Sequence, residues 1–292
     1  MRQELIPVTG GQLEVTSYGE SIATADTLIC ASHPIDAFAR QTTTLLANAS
    51  GAAVICVNPR GVGRSSSSQG QSYELVQIID DLEAVRRRLG VKRWVFWGMS
   101  GGGWLGLLYA RRYPLSLGGV ILESVCACLR ERASDPECVL SPLFPAWREA
   151  LAASALLEPL PSPAASYLRD QLEWTDGPGA GATLRRKAGP AVLVSPIPAS
   201  ATMRRMLPLL FELDTRAWLN SLTVPALVIC GSADPVLPVR HAHALHDGLP
   251  NSEFVLVEGG GHVPVAESRP EVTTAVRAFL EQHRAATRSA MR

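Results

Sequence analysis

A mostly parallel α/β architecture is the fold class this sequence predicts, on three observations. Short apolar runs of strand length alternate with amphipathic stretches of helical spacing. One such run, 93–97, passes directly through Gly98-Met99-Ser100-Gly101-Gly102 into a helical stretch. Two later runs end in short loops that each present one acid–base side chain, Asp234 and His262. Those loops fall at strand carboxyl ends, the side on which open parallel sheets build their sites.

Leu13 to Tyr18 is expected as an early strand, and the apolar runs 27–32, 52–57, 93–97, 118–122, 225–230 and 253–257 supply the others. Helices are expected over 36–49, 73–89, 101–112, 239–247 and 270–284. Within 73–89, Leu75, Ile78, Ile79, Leu82, Val85 and Leu89 recur at helical spacing, so that face belongs to the core. Arg86-Arg87-Arg88 reads as a solvated face rather than an anion site. Residues 285–292 are small and basic and are expected to fray.

The middle third breaks the alternation. Between Ser124 and about Arg216 no strand is evident, and prolines recur from Pro136 to Pro208. Short apolar helical stretches, Leu143–Leu157 and Met203–Leu213, alternate with these breakers, and Gly177-Pro178-Gly179-Ala180-Gly181 reads as a surface loop. The predicted organisation is a core of residues 1–124 and 216–292, interrupted by a helical insertion over 125–215.

Ser100 is the expected nucleophile. A serine between glycines at a sharp strand-to-helix turn is held in a strained conformation, with its hydroxyl projecting above the sheet edge. Small residues two positions either side let the chain turn without collision. Downstream, Gly231-Ser232-Ala233-Asp234-Pro235 offers an acid, and Glu258-Gly259-Gly260-Gly261-His262 offers a base after three flexible glycines. Serine, acid and histidine thus occur in the order such sites require. Glu123, at the end of the strand 118–122, is a competing acid, with Asp234 preferred.

With these residues the chain resembles the α/β-hydrolase superfamily, in the branch that includes esterases, lactonases and proline iminopeptidases. Asn58-Pro59-Arg60-Gly61-Val62-Gly63-Arg64-Ser65 is similar to that family's D-x-R-G-x-G-x-S loop, with Asn in the first position. Gly261-His262 followed by Glu267, Pro270 and Glu271 is similar to its ending. A second departure is His33-Pro34, where the family has His-Gly. The resemblance implies an α/β-hydrolase fold with a helical cap inserted after the sixth strand. It also implies an oxyanion hole made by the backbone N–H groups of Gly101 and Ile35. One such donor typically contributes about 3–4 kcal/mol of transition-state stabilisation. Pro34 lacks an N–H, but the expected donor is the next residue.

The expected chemistry is acyl transfer through Ser100, with His262 as base and acid and Asp234 fixing the imidazole tautomer. Water activated by His262 then hydrolyses the acyl-enzyme, and no cofactor or metal is required. A serine nucleophile argues against the branches that use aspartate there. The insertion is expected to shape the substrate pocket, with Phe144, Trp147 and Phe211, together with Trp104 of the core, as candidate lining residues. At helical spacing such residues also serve as core.

Composition sets bounds. The chain has 292 residues, is 47% hydrophobic and carries a formal net charge of zero, which gives no reason to expect nucleic acid or an anionic membrane as partner. The expected partner is a small-molecule substrate, with oligomeric state left open. The longest apolar runs are of strand length, far short of a membrane span. No basic segment followed by an apolar stretch opens the sequence, so no secretory signal is expected and the cytoplasm is the expected compartment. Cys30, Cys56 and Cys230 lie in strand runs, and Cys126, Cys128 and Cys138 match no zinc spacing, so all six read as small hydrophobes.

Three functions fit. The first is a serine hydrolase of a carboxylic ester or lactone of a small apolar substrate. The second is a proline-iminopeptidase-like aminopeptidase, which needs carboxylates in the insertion to bind a free amine; Glu131, Glu149, Asp170, Glu173, Glu212 and Asp214 are candidates. The third is a slow-turnover ligand receptor on the same fold.

Overall fold

The computed structural model describes residues 1–19, 25–33, 44–66, 74–138, 209–210, 212–234, 236–265 and 269–283. Eight strands form one sheet: β1 (Arg2–Val8), β2 (Gly11–Tyr18), β3 (Leu28–Ala31), β4 (Ala53–Val57), β5 (Trp94–Met99), β6 (Leu117–Glu123), β7 (Ala226–Gly231) and β8 (Ser252–Val257). Their spatial order is β1-β2-β4-β3-β5-β6-β7-β8. β2 runs antiparallel to both neighbours, and every pairing from β4 through β8 is parallel.

The described helices are α1 (44–50), α2 (Leu75–Arg88), α3 (Gly101–Arg112), α4 (Leu129–Ala133), α5 (Val239–Gly248) and α6 (Pro270–Gln282). The inner strands feed both faces by alternation. Cys30, Ile55 and Phe96 pack on one face with Ile79, Leu82, Leu105 and Leu245. Ile29, Val54 and Val95 pack on the other with Leu46, Val272 and Phe279. A sheet covered on both faces needs continuously apolar strands, which is why these runs were legible in the sequence.

Two expectations change. β1 was not foreseen: it is an edge strand, largely exposed, joined to β2 through Thr9 and Gly10, the latter at φ +74°. Its Pro7 is tolerated because an edge has no obligatory ladder on its outer side. The arginine run is also not uniformly solvated. Arg86 and Arg87 both pair with the buried Glu83, at 2.6 and 2.7 Å, and Arg86 further donates to the Val91 and Lys92 carbonyl oxygens. Arg86 thereby fastens the end of α2 to the segment leading into β5.

The Asn58 departure has a local cause. Asn58 Nδ2 donates to Glu14 Oε2 at 3.0 Å, and the Arg64 N–H donates to the same oxygen at 2.8 Å. Asn58 and Glu14 are buried. A carboxylate at 58 would face another carboxylate, whereas an amide supplies the donor that Glu14 needs. The same loop is pinned by Arg60, which pairs with the buried Asp81 at 2.6 Å and donates to the Thr9 carbonyl oxygen.

Candidate active site

Ser100 lies between β5 and α3 with φ 45° and ψ −114°. Among the described residues it is one of two non-glycine positions with positive φ, the other being Ser124. Such a conformation costs of order 1–3 kcal/mol and persists only where surrounding structure enforces it. Here the Ser100 N–H donates to the Glu123 carbonyl oxygen of the adjacent strand, and the Gly103 N–H donates to the Ser100 carbonyl oxygen, both at 2.9 Å.

The glycines around it are needed for space. A Cβ at Gly98 would stand 2.4 Å from the Gly102 carbonyl oxygen, because α3 folds straight back over its own strand. A Cβ at Gly103 would stand 2.1 Å from a Val125 methyl group. Ser100 and Gly101 remain partly exposed at the sheet edge. Gly101 is the first residue of α3, so its N–H belongs to the positive end of the helix.

Asp234 follows β7. Its side chain is 0% exposed, and its Oδ1 accepts the Val236 and Leu237 N–H groups at 2.8 and 2.9 Å. Its Oδ2 lies 2.8 Å from His262 Nδ1. With a carboxylate oxygen as acceptor, Nδ1 carries the proton, which leaves Nε2 of a neutral imidazole as a base. His262 follows β8 in a loop interlocked with the acid's loop. The Ala233 N–H donates to the Gly260 carbonyl oxygen at 2.9 Å, and a Cβ at Gly231 would stand 2.2 Å from that oxygen.

β5, β7 and β8 are parallel members of one sheet, so Ser100, Asp234 and His262 share its carboxyl edge. The acid–histidine half of the constellation is hydrogen-bonded. Among the described residues no hydrogen bond joins Ser100 Oγ to His262. Such bonds commonly tighten only once substrate is bound.

The remaining candidates divide. Trp104 is buried in the core, its indole N–H donating to the Cys126 carbonyl oxygen at 2.8 Å, so its ring packs beneath the segment that follows β6. Ile35, Phe144, Trp147 and Phe211 lie outside the described residues, as do Glu149, Asp170 and Glu173. Glu123 does not contact His262 Nδ1, which Asp234 occupies; its Oε1 accepts the Val265 N–H at 2.7 Å. The six cysteines are buried and outside any disulfide, and among the described residues no group of three or more His, Cys, Asp or Glu is arranged to hold a metal. No described helix is long and apolar enough to cross a membrane.

Sequence reasoning missed how the described ends of the segment 125–215 are fastened. Thr215 donates to the Ala127 carbonyl oxygen through its N–H at 3.0 Å and its hydroxyl at 2.7 Å, joining the outgoing and returning strands of chain. Cys138 Sγ donates to the Val236 carbonyl oxygen at 3.2 Å, and Asp135 pairs with His241 at 2.5 Å. The outgoing end is therefore bonded to the loop that carries Asp234. A buried cysteine and a lone aspartate carry no local pattern that would have revealed this.

Comparison with known proteins agrees with this fold. The model of a family described as alpha/beta hydrolase fold matches residues 35–268. A curated relative, the putative carbamate hydrolase RutD of Escherichia coli O127:H6 (strain E2348/69 / EPEC), is 26% identical over 212 residues, covering 72% of this chain and 74% of its own. Among solved structures, Est816, described as an N-acyl homoserine lactone degrading enzyme, superposes with a TM-score of 0.68 at 23% identity, over 94% of this chain and 100% of the other. The proline iminopeptidase of Mycobacterium smegmatis gives 0.71 at 20% identity, over 98% and 100%.

Proposed function

The chain belongs to the α/β-hydrolase family, and on that premise we propose that it is a serine hydrolase acting through an acyl-enzyme on a carboxylic ester or lactone of a small apolar substrate. The observation that carries this reading is the buried Asp234–His262 pair at the same sheet edge as a serine held at positive φ.

In this mechanism Ser100 Oγ attacks the acyl carbon while His262 Nε2 takes its proton. The negative oxygen that forms is met by the N–H of Gly101, at the positive end of α3, and by that of Ile35. His262 then gives the proton to the departing alkoxide, and the bond to the leaving group breaks. Water, deprotonated by His262, attacks the acyl-enzyme and regenerates Ser100. Asp234 keeps Nδ1 protonated throughout, and its two backbone hydrogen bonds keep the carboxylate from rotating. The insertion over 125–215 is assigned the choice of substrate.

Of the carboxylates the aminopeptidase reading could use, the three among the described residues already make ion pairs. Glu131 pairs with Arg216, Glu212 with Arg130, and Asp214 with Arg216, all on exposed surface. Carboxylates neutralised by guanidinium groups are poor sites for a substrate's amine. The carbamate named for the curated relative requires the same attack on a carbonyl carbon, so carbamates belong with esters and lactones in the substrate panel.

The test is labelling by a fluorophosphonate probe beside hydrolysis of acetyl esters, lactones, carbamates and aminoacyl amides. Wild type is expected to label and to prefer an ester or lactone; Ser100→Ala is expected to lose both activities while remaining folded. Labelling that survives Ser100→Ala would remove the assignment.

A further inference from the structure

We infer that Glu123 is a positioning residue that holds the nucleophile and the base of this site in one frame; the inference rests on the roles of Ser100 and His262 proposed above. Glu123 is the last residue of β6, the strand between the one that delivers Ser100 and the one that delivers Asp234. In register it stands level with Met99, immediately before Ser100, and with Ile229 of β7. Its carbonyl oxygen accepts the Ser100 N–H at 2.9 Å. Its side-chain Oε1 accepts the Val265 N–H, three residues beyond His262, at 2.7 Å. One residue is thus bonded to both halves of a pair that share no hydrogen bond of their own among the described residues.

The His262 loop is held at two places. On the near side, Gly260 accepts the Ala233 N–H, which ties the loop to the acid. On the far side, Val265 donates to Glu123, which ties it to the strand beside the nucleophile. Loss of the second tie leaves the Asp234–His262 hydrogen bond intact but frees the pair to drift from Ser100 as a unit. A packing role does not account for the residue. Glu123 is 0% exposed, and the strand leading to it, Val120 to Leu122, is wholly apolar, as is Ile229 beside it. A carboxyl group sealed in such surroundings is costly, and the Val265 N–H on Oε1 offsets part of that cost.

The experiment compares wild type, Glu123→Leu, which keeps volume but has no acceptor, and Glu123→Gln, which returns an acceptor oxygen to the same place without charge. Three quantities are read in the full chain: the second-order rate of Ser100 phosphonylation, kcat and KM on one ester, and hydrogen exchange at the Val265 amide. Glu123→Leu is expected to lower phosphonylation and kcat about 10- to 100-fold with KM unchanged, the penalty of reacting groups displaced by about an ångström. Val265 exchange should quicken in the same variant, and Glu123→Gln should recover most of both. Unaltered kcat in a Leu variant whose Val265 amide exchanges freely would overturn the inference. So would a Gln variant as impaired as Leu, since charge and not the acceptor would then matter. If Glu123→Leu does not fold, Glu123→Asp replaces it: the acceptor is drawn back by one methylene, the same loss is expected, and full kcat with fast Val265 exchange refutes the role. Absence of wild-type labelling, or labelling retained in Ser100→Ala, is a separate outcome that removes the hydrolase reading itself.

Discussion

Gly102 and Ser32 are in backbone contact: a Cβ built on Gly102 stands 2.4 Å from the Ser32 carbonyl oxygen. The first turn of α3 therefore presses directly on the segment that follows β3, and the spacing between nucleophile and expected oxyanion loop depends on a missing side chain. Ser32 is fixed from its other side, its hydroxyl donating to the Val57 carbonyl oxygen at 2.8 Å.

Gly102→Ala sets helix propensity against this contact. Propensity alone favours alanine by about 1 kcal/mol inside a helix. The backbone oxygen has no room to retreat, so the clash is expected to prevail, lowering Tm and reducing kcat/KM by at least about tenfold through displacement of reacting groups. Thermal melting and ester hydrolysis check this; a raised Tm with full activity contradicts it.

Asp234→Asn is expected to lower kcat by about three to four orders of magnitude with little change in fold. Oδ1 is fixed as an acceptor by two backbone N–H groups, so an asparagine would place its oxygen there and turn its NH2 toward His262. The imidazole would then present a lone pair at Nδ1 and a proton at Nε2, the wrong tautomer for a base. Steady-state kinetics beside Glu123→Gln give the ordering, and a larger loss in Glu123→Gln would move the acid role to β6.

Asn58→Asp restores the residue of the related loop but places its carboxylate against Glu14. Loss of the amide donor and the new repulsion are expected to cost about 1–3 kcal/mol. Denaturant unfolding measures it, and the partner change Glu14→Gln in the same chain is expected to recover most of the loss.

Glu83 makes stability depend on acid pH. Burial pushes its carboxyl up, but hydrogen bonds from Arg86, Arg87 and Tyr109, with the charge of Arg86, outweigh this and hold it at about 2, against an ordinary 4.5. A group depressed in the folded state contributes fully above its unfolded value, and that contribution drains away as pH falls from 4.5 toward 2. A shift of this size corresponds to about 3 kcal/mol at neutral pH as an upper bound, reduced by solvent screening of the arginine pair. Glu83→Gln should lower Tm at pH 7 and flatten its fall across that window, as thermal melts at stepped pH would show. Parallel curves for the two proteins would contradict the assignment.

Much of this protein was determined by sequence alone, because the signals are local. A buried strand is a contiguous apolar run, and the elbow is five residues between a strand and a helix. Asp234 and His262 stand out as candidates because each closes a strand with turn chemistry, and the Leu75–Leu89 face because helical spacing marks it. β1 escaped because an exposed edge strand has no such pattern and forms through its pairing with β2. Tertiary structure decided what depends on residues far apart in the chain. The sequence presents Glu123 only as a competing acid, and its hydrogen bond from Val265, 142 positions away, exists only in the folded chain. Asn58 reads as a departure until Glu14, 44 positions away, supplies the reason for an amide. Gly102 and Gly103 read as turn residues until Ser32 and Val125 are found against them. Composition cannot specify such contacts, since a hydrogen bond or a steric limit exists only once the sheet has brought its two ends together.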